Sequence, residues 1–380
     1  MVPFDFHLPT RCVFGQGSIE KLGLLARGLG FRRTLLVADP GIVQAGHVGK
    51  AQRLLESASI EVFSFHEFAQ NPDSAMVEAG RVFAAASRVD SVIGLGGGSS
   101  IDCARAINFV VSGGGAIADY RGYGKTTTPL LPMIAVPTTA GTGSEAQSYT
   151  TVADAATRMK IACGDPSAAA RIALLDPDLT FSSPHHVTAM AGFDAIAHAV
   201  EAAVAVKRTA MSDLFSHRAW RLLNDAFERV LLHPADADAR ATMQLGAHFA
   251  GMAIEQSMLG AAHACANPLT ARFNLTHGLA LAILLPHVVR WNAGVAAERY
   301  AALLNSPRRR TRDQDAADTL AARLEDLAGA AGLAMKLSDG GVDEEALPGL
   351  AADAAAEWTA PFNPRPFDAA GALEIYRAAL

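Results

Sequence analysis

Asp194 and His198 stand four residues apart in an apolar setting, GFDAIAHAVEA at 192–202. On a helix that spacing puts a carboxylate and an imidazole on one face, and the apolar surroundings turn the pair inward. A buried Asp and a buried His need partners. They can satisfy each other, or both can bind a cation. His263 and His277 extend the second option. They lie 14 residues apart, about 21 Å along one unbroken helix, too far for one ion to reach both. Pro268 falls between them, followed by Thr270 and Asn274. Proline disrupts a helix interior, so a break there lets both imidazoles converge. One carboxylate and three imidazoles suit Zn(II) or Fe(II). No spacing selects the other histidines, which read as capping, surface or supporting groups.

A second chemistry is written in the glycines. Ile93 to Leu95 is apolar, Gly96-Gly97-Gly98 follows, and Ser99-Ser100-Ile101-Asp102 opens a helical stretch. Bare glycines let a pyrophosphate approach the backbone, and a helix N-terminus offers free N–H groups and a positive dipole end. Ser99 is placed to cap that helix. The pattern departs from the Rossmann fingerprint, whose acidic ribose-binding residue follows the glycines by about 20 residues. Here the best acidic candidate, Asp39, precedes them at the end of an earlier strand. A carboxylate there accepts from a ribose and repels a 2′-phosphate, so it favours NAD over NADP. PTTAGTGSE at 137–145 follows another strand and supplies hydroxyls and glycines where open α/β sheets bind ligands. Gly15-Gln16-Gly17 reads as a turn.

These groups need elements to hold them. Apolar runs at 34–38, 60–65, 91–95, 133–136 and 172–175 alternate with Ala- and Leu-rich helical stretches. That alternation predicts a parallel sheet covered on both faces. After Pro184 the strand signals stop, and helical periodicity marks 189–204, 211–232, 239–254, 317–331 and 369–379. The expectation is an α/β dinucleotide-binding domain at 1–183 and an all-α metal-binding domain at 184–380, joined internally by connectors at 305–312 and 361–366. The 380 residues are enough for two or three domains. A hydrophobic share of 50% excludes wholesale disorder. A net charge of −6, with one short basic run at 308–310 beside acidic residues, argues against a nucleic-acid partner. Four scattered cysteines without a CxxC pair, and no signal-like N-terminus, fit a reducing cytoplasmic setting. The apolar stretch 279–289 is too short to span a bilayer, so no membrane partner is expected.

At this point the chain resembles the iron-containing (group III) alcohol dehydrogenases over nearly its whole length. The resemblance rests on GGGSSID at 96–102, PTTAGTGSE at 137–145, DPDLT at 176–180, GFDAIAHAVEA at 192–202, and GAAHACANPLTARFNLTHG at 260–278 followed by LLPH. It implies the dehydroquinate synthase-like architecture of an N-terminal α/β domain and a C-terminal helical domain, with the active site in the cleft between them. It implies that Asp194, His198, His263 and His277 hold a divalent metal, iron or zinc. Asp39 and Asn71 would lie near the adenosine, and Gly96, Gly97, Gly98 and Ser99 at the pyrophosphate. Asp102, Thr138, Thr139, Thr142, Lys160 and Leu179 would line the rest of the dinucleotide. The implied activity is reversible oxidation of a small alcohol to an aldehyde or ketone with NAD, the metal acting as Lewis acid, in a homodimer or larger homo-oligomer. Asn267 departs from the family, which often has a further histidine there associated with proton relay. Asn keeps hydrogen bonding but has no titratable proton near neutral pH. Thr270 and Thr276 replace a frequent Gly and Pro.

Two enzyme readings compete. A dehydroquinate synthase relative needs several Lys and Arg groups for a phosphorylated, carboxylated substrate, and few basic residues (Arg272, Arg290) stand near the ligands. A reductase of a charged aldehyde or keto acid, resembling maleylacetate reductase, is the alternative on the same scaffold. Its members usually lack the intact Asp and three His. A non-catalytic nucleotide-binding protein is the remaining reading.

Overall fold

Runs of four to six buried residues in the first half of the chain become strands of one parallel sheet. A computed structural model describes residues 3–304, 313–333 and 336–380. The connector expected at 305–312, with its basic run, lies outside the described residues. The chain forms two compact units, His7–Ser183 and Pro184–Leu380, and the described residues before His7 belong with the second. The sequence pattern groups that start with the α/β domain. The Phe6 ring instead lies 6.1 Å from that of Phe215.

The α/β unit contains β1 (Arg11–Phe14), α1 (Leu22–Gly28), β2 (Arg33–Val37), α2 (Pro40–Gln44), α3 (His47–Ser57), β3 (Glu61–Phe65), α4 (Ser74–Ser87), β4 (Ser91–Gly96), α5 (Gly98–Gly113), β5 (Gly122–Tyr123), β6 (Met133–Pro137), β7 (Tyr149–Ala153), β8 (Lys160–Gly164) and β9 (Ile172–Leu175). Six strands form a parallel sheet in the order β1-β9-β6-β4-β2-β3. Successive side chains serve opposite cores, as a pleat requires. Leu35, Val37, Val92, Met133 and Ala135 join one buried cluster with α5. Leu36, Ile93, Leu95, Ile134 and Val136 join the other with α1 and α3. The chain runs from β2 to β3 on one side and then crosses back to place β4 on the other. Strand order therefore reverses between β2 and β4, and open α/β sheets bind ligands beyond the strand ends at such a point.

Two parts of this unit were not expected from the sequence. Strand β1 is an edge strand whose residues are mostly exposed, so it shows no apolar run. A second sheet, β5-β8-β7, contains an antiparallel hairpin. Its turn is built by Asp154, which accepts from the backbone of Ala156 and Thr157 at 3.0 and 2.8 Å.

The helical unit contains α6 (His185–Val204), α7 (Ala210–Leu232), α8 (Ala237–Gln256), α9 (Ala261–Phe273), α10 (His277–Trp291), α11 (Ala293–Leu303), α12 (Asp313–Ala330), α13 (Leu347–Ala356) and α14 (Ala369–Ala379). Helix α6 is long and apolar enough to cross a membrane by length and composition, yet 78% of its apolar window is buried within the fold. Pro268 does not break the chain as expected. It sits inside α9, where its missing N–H leaves out the backbone bond to the Ala264 carbonyl without ending the helix. Asn274 ends α9 instead, in the left-handed region at φ 54°, and α10 begins at His277. Asn tolerates that conformation because its short polar side chain bonds locally.

The Gly15–Gly17 segment is a turn in which both glycine N–H groups are already taken, that of Gly15 by the Leu175 carbonyl at 3.0 Å and that of Gly17 by Asp176. Asp176, fully buried, accepts from the backbone of Gly17 (3.0 Å), Ile19 (2.9 Å) and Asp178 (3.1 Å). An internal carboxylate thus fills the place an external anion would need. Asp176→Ala strands these donors and is expected to lower unfolding free energy by about 2–4 kcal/mol. The readout is a lower urea midpoint with an unchanged slope; an unchanged midpoint would show that water replaces the carboxylate.

Candidate functional site

In the helical unit, three imidazoles converge on one carboxylate oxygen. Asp194 Oδ1 lies 3.3 Å from His198 Nε2, 3.6 Å from His263 Nε2 and 3.8 Å from His277 Nε2. Asp194 and His198 come from consecutive turns of α6, His263 from the first turn of α9, and His277 is the first residue of α10. Asp194, His263 and His277 each offer an atom within 4.8 Å of the other two. His198 joins them through Asp194 and by stacking on His263, with ring centroids 4.8 Å apart. Asp194, His198 and His263 are buried, and His277 is half-buried. Gly278 makes the convergence possible. A Cβ there would come within 2.2 Å of the Met190 carbonyl oxygen, so only glycine lets α10 close onto α6.

These separations test whether the residues fit a metal ion. Four ligands about 2.1 Å from a tetrahedral ion lie about 3.4 Å from one another, close to the spacings above. Asp194 Oδ1 and His263 Nε2 are buried, and among the described residues neither finds a hydrogen-bond partner. Orphaned polar atoms of that kind call for an explanation, and a cation supplies one. The charges of the cluster also act on one another. Burial alone would raise the Asp194 carboxyl, but the positive field of His198, His263 and His277 outweighs it and holds the group well below the usual carboxylate range. Burial would likewise depress His263, but Glu201 and Asp194 reverse this and raise it well above an ordinary imidazole.

Glu201 was not singled out from the sequence. Its Oε1 accepts from Ala262 N at 2.7 Å, and its Oε2 bonds His263 Nδ1. The available signal was its spacing, seven after Asp194 and three after His198, which places it on the same face of α6.

The α/β unit brings together a second group. Asp39 stands at the end of β2 and caps α2 through Gly41 N and Ile42 N at 2.9 and 3.2 Å. Its other oxygen accepts from Ser100 Oγ at 2.9 Å, which ties β2 to α5 across the reversal point. Gly96 adopts φ +144°, open to glycine, where a Cβ would also strike Ser100. A Cβ on Gly98 would meet Thr142 at 2.5 Å, and one on Gly97 would touch Thr139. The glycine turn and the 137–145 loop therefore lie against each other. The Thr138 hydroxyl is buried without a partner among the described residues. Ser99 does not cap α5: the cap position is Gly97, with no side-chain bond, and Ser99 Oγ accepts from Asn71 N at 3.3 Å instead. An uncapped helix start, bare glycines and an orphaned hydroxyl fit a phosphate-bearing ligand. Lys160 Nζ reaches Asn71 Oδ1 at 3.4 Å. Asp102 is raised by burial, only partly offset by the charges of Arg105 and Lys160. Arg105, wholly buried, donates to the carbonyls of Ser144, Tyr149 and Ala168 and so ties the loop to α5. Leu179 is buried in the core beside α3 rather than displayed.

The sequence profile of iron-containing alcohol dehydrogenases matches residues 9–177, and that of the C-terminal part of the same family matches 188–380. The chain belongs to the iron-containing alcohol dehydrogenase family. It is an enzyme, an oxidoreductase of the alcohol dehydrogenase type. It is 31% identical to the 1,3-propanediol dehydrogenase of Klebsiella pneumoniae over 381 residues, covering 99% of this chain and 98% of that one. A crystal structure of a 1,3-propanediol oxidoreductase superposes with a TM-score of 0.95 at 31% identity, covering 100% of both chains. The sulfoacetaldehyde reductase of Bifidobacterium kashiwanohense, solved in complex with NAD+, superposes with a TM-score of 0.87 at 26% identity, covering 100% of this chain and 99% of that one.

Within this family member, Asn267 sits one turn beyond His263 on α9. Its amide nitrogen donates to Glu357 Oε2 at 2.9 Å. Phe193, Ile254 and Met258 are buried. Phe193 packs edge-on against Phe227, with centroids 6.3 Å apart, and so belongs to the helix core. Gly278→Ala is expected to push α10 off α6, costing about 1–3 kcal/mol and lowering Zn(II) affinity with it. Chemical denaturation and Zn(II) titration check both parts, and retained affinity would mean His277 does not need that packing.

Proposed function

We propose that this enzyme interconverts a small uncharged alcohol and its aldehyde or ketone, with NAD as hydride carrier and Fe(II) or Zn(II) held by Asp194, His198, His263 and His277. One observation carries the reading: three imidazole nitrogens aimed at a single buried carboxylate oxygen. A hydrogen-bonded pair explains two such groups, not four. The intact set also argues against the charged-aldehyde alternative. The NAD+ complex of a relative and the acidic residue at the end of β2 support the choice of dinucleotide.

A divalent ion there would supply Lewis acidity toward an alcohol or carbonyl oxygen, and the dinucleotide would accept or return the hydride. The chain does the rest. Asp194 brings one negative charge, so a dication would leave the site net positive and receptive to an oxygen gaining charge. Burial strengthens that field. Gly96, Gly97, Gly98 and Ser99, with the start of α5, are assigned to the pyrophosphate, and Asp39 to the adenosine ribose. Asn71, Asp102, Thr138, Thr139, Thr142 and Lys160 are assigned along the dinucleotide. Leu179 is assigned to packing beneath it. Asn267, held by Glu357, orients hydrogen bonds and carries no proton itself. Four free cysteines fit the cytoplasm, and the reading includes a homodimer or larger homo-oligomer.

Metal-stripped protein reloaded with Fe(II) or Zn(II) should form NADH from short alcohols or diols, and no NADH with any of them would sink the proposal. His277→Ala should lose metal content and turnover together, because the remaining ligands no longer close around the ion. Stoichiometric metal at near-normal rate in that variant would remove His277 from the ligand set. Asp39→Ser keeps a capping side chain but removes the charge. It should improve NADPH use relative to NADH about tenfold, as expected when one partly screened repulsion is lifted. An unchanged ratio would place the ribose elsewhere.

A further inference from the structure

The two oxygens of Glu201 face two donors. Oε1 takes the N–H of Ala262 at 2.7 Å, and Oε2 bonds His263 Nδ1. Glu201 is itself 4% exposed. Helix α9 has no side-chain cap at Gly260, so its first N–H groups depend on other elements. Asn363 Oδ1 takes the N–H of Ala261 at 3.2 Å. Asn363 is locked in turn to Asn292 by reciprocal amide bonds of 2.9 and 3.0 Å. The start of α9, and with it His263, is therefore held by side chains that arrive from α6 and from beyond α13.

A carboxylate is the group this arrangement demands. The Ala262 N–H can only donate. His263 must also donate at Nδ1 if Nε2 is to offer its lone pair to a metal ion beside Asp194. The two donors meet different oxygens of Glu201, and a glutamine in the same pose would turn its NH2 toward one of them. We infer that Glu201 is a positioning residue that fixes His263 as its Nδ1–H tautomer and thereby makes Nε2 a metal ligand. The inference rests on the metal-site reading above. A glutamine of the same shape would give its oxygen to Ala262 and turn its NH2 toward the ring. That NH2 pairs with a bare Nδ1, which moves the ring proton to Nε2 and blocks the ligand. Carboxylates in this role typically alter metal affinity by about 10- to 100-fold.

The test titrates metal-stripped protein with Zn(II) by chelator competition, using the natural chain, Glu201→Gln, His263→Ala and the double variant. Glu201→Gln should bind Zn(II) about 10- to 100-fold more weakly, while adding it to His263→Ala should change affinity less than about twofold, because a residue acting through a ring has no effect once the ring is gone. Co(II)-loaded protein offers a readout that a general packing defect would not move. The natural chain should show a slowly exchanging, hyperfine-shifted ring N–H signal that vanishes in His263→Ala and is lost in Glu201→Gln. Natural affinity in Glu201→Gln, or an equal loss in the His263→Ala background, overturns the inference. Failure of the natural chain to take up Zn(II) overturns the metal-site reading instead.

Discussion

The helical unit is arranged around one constraint: a carboxylate oxygen, buried and, among the described residues, without a hydrogen bond, surrounded by imidazole nitrogens. Burying such a charge without compensation is costly, so the surroundings must supply positive charge. Helices α6, α9 and α10 meet where Asp194 stands, and their close packing follows from that need. Gly278 lets α10 close onto α6, while Glu201 and Asn363 settle the otherwise unmet donors of α9. Gly278 sets how closely α10 approaches α6, and Glu201 and Asn363 hold the start of α9 from which His263 projects.

The α/β unit obeys a different rule. Its inner strands are buried on both faces, so the only backbone free for a ligand lies beyond their ends. The reversal of strand order between β2 and β4 opens the space that Asp39 and the glycine turn border. The bond from Ser100 to Asp39 joins the two sides of that space and keeps a carboxylate in a defined orientation. Contrast the Gly15–Gly17 turn, where Gly17 donates to Asp176 and Gly15 to the Leu175 carbonyl of the same unit. Glycines alone do not make an anion site; what matters is whether their N–H groups already have partners.

Much of this was legible in the sequence because periodicity and residue type report burial. The four inner strands and the longer helices carry apolar patterns, and Asp194 and His198 advertise themselves by a four-residue step. What stayed hidden depends on tertiary partners. β1 is stabilised by β9 rather than by its own apolarity. Pro268 was expected to end a helix but is tolerated within α9, and the turn is made by Asn274, whose φ no local pattern specifies. Ser99 looks like a cap, yet its hydroxyl is taken by Asn71. Phe193 stands beside Asp194 in the chain yet packs into the core, because Phe227 meets it from a helix more than thirty residues on. Glu201 reads as an ordinary helix glutamate until α9 is brought against it.

The joint at Asn274 has a consequence for how chain length can vary. His263 lies in the opening turn of α9 and His277 opens α10, so the stretch between them is a helix plus a three-residue link. One residue inserted within α9 would rotate everything after it by about 100° and advance it by about 1.5 Å. Such errors are discrete and large, and side-chain flexibility cannot absorb them. Lineages that lengthen or shorten this enzyme without losing its chemistry must therefore do so outside 263–277.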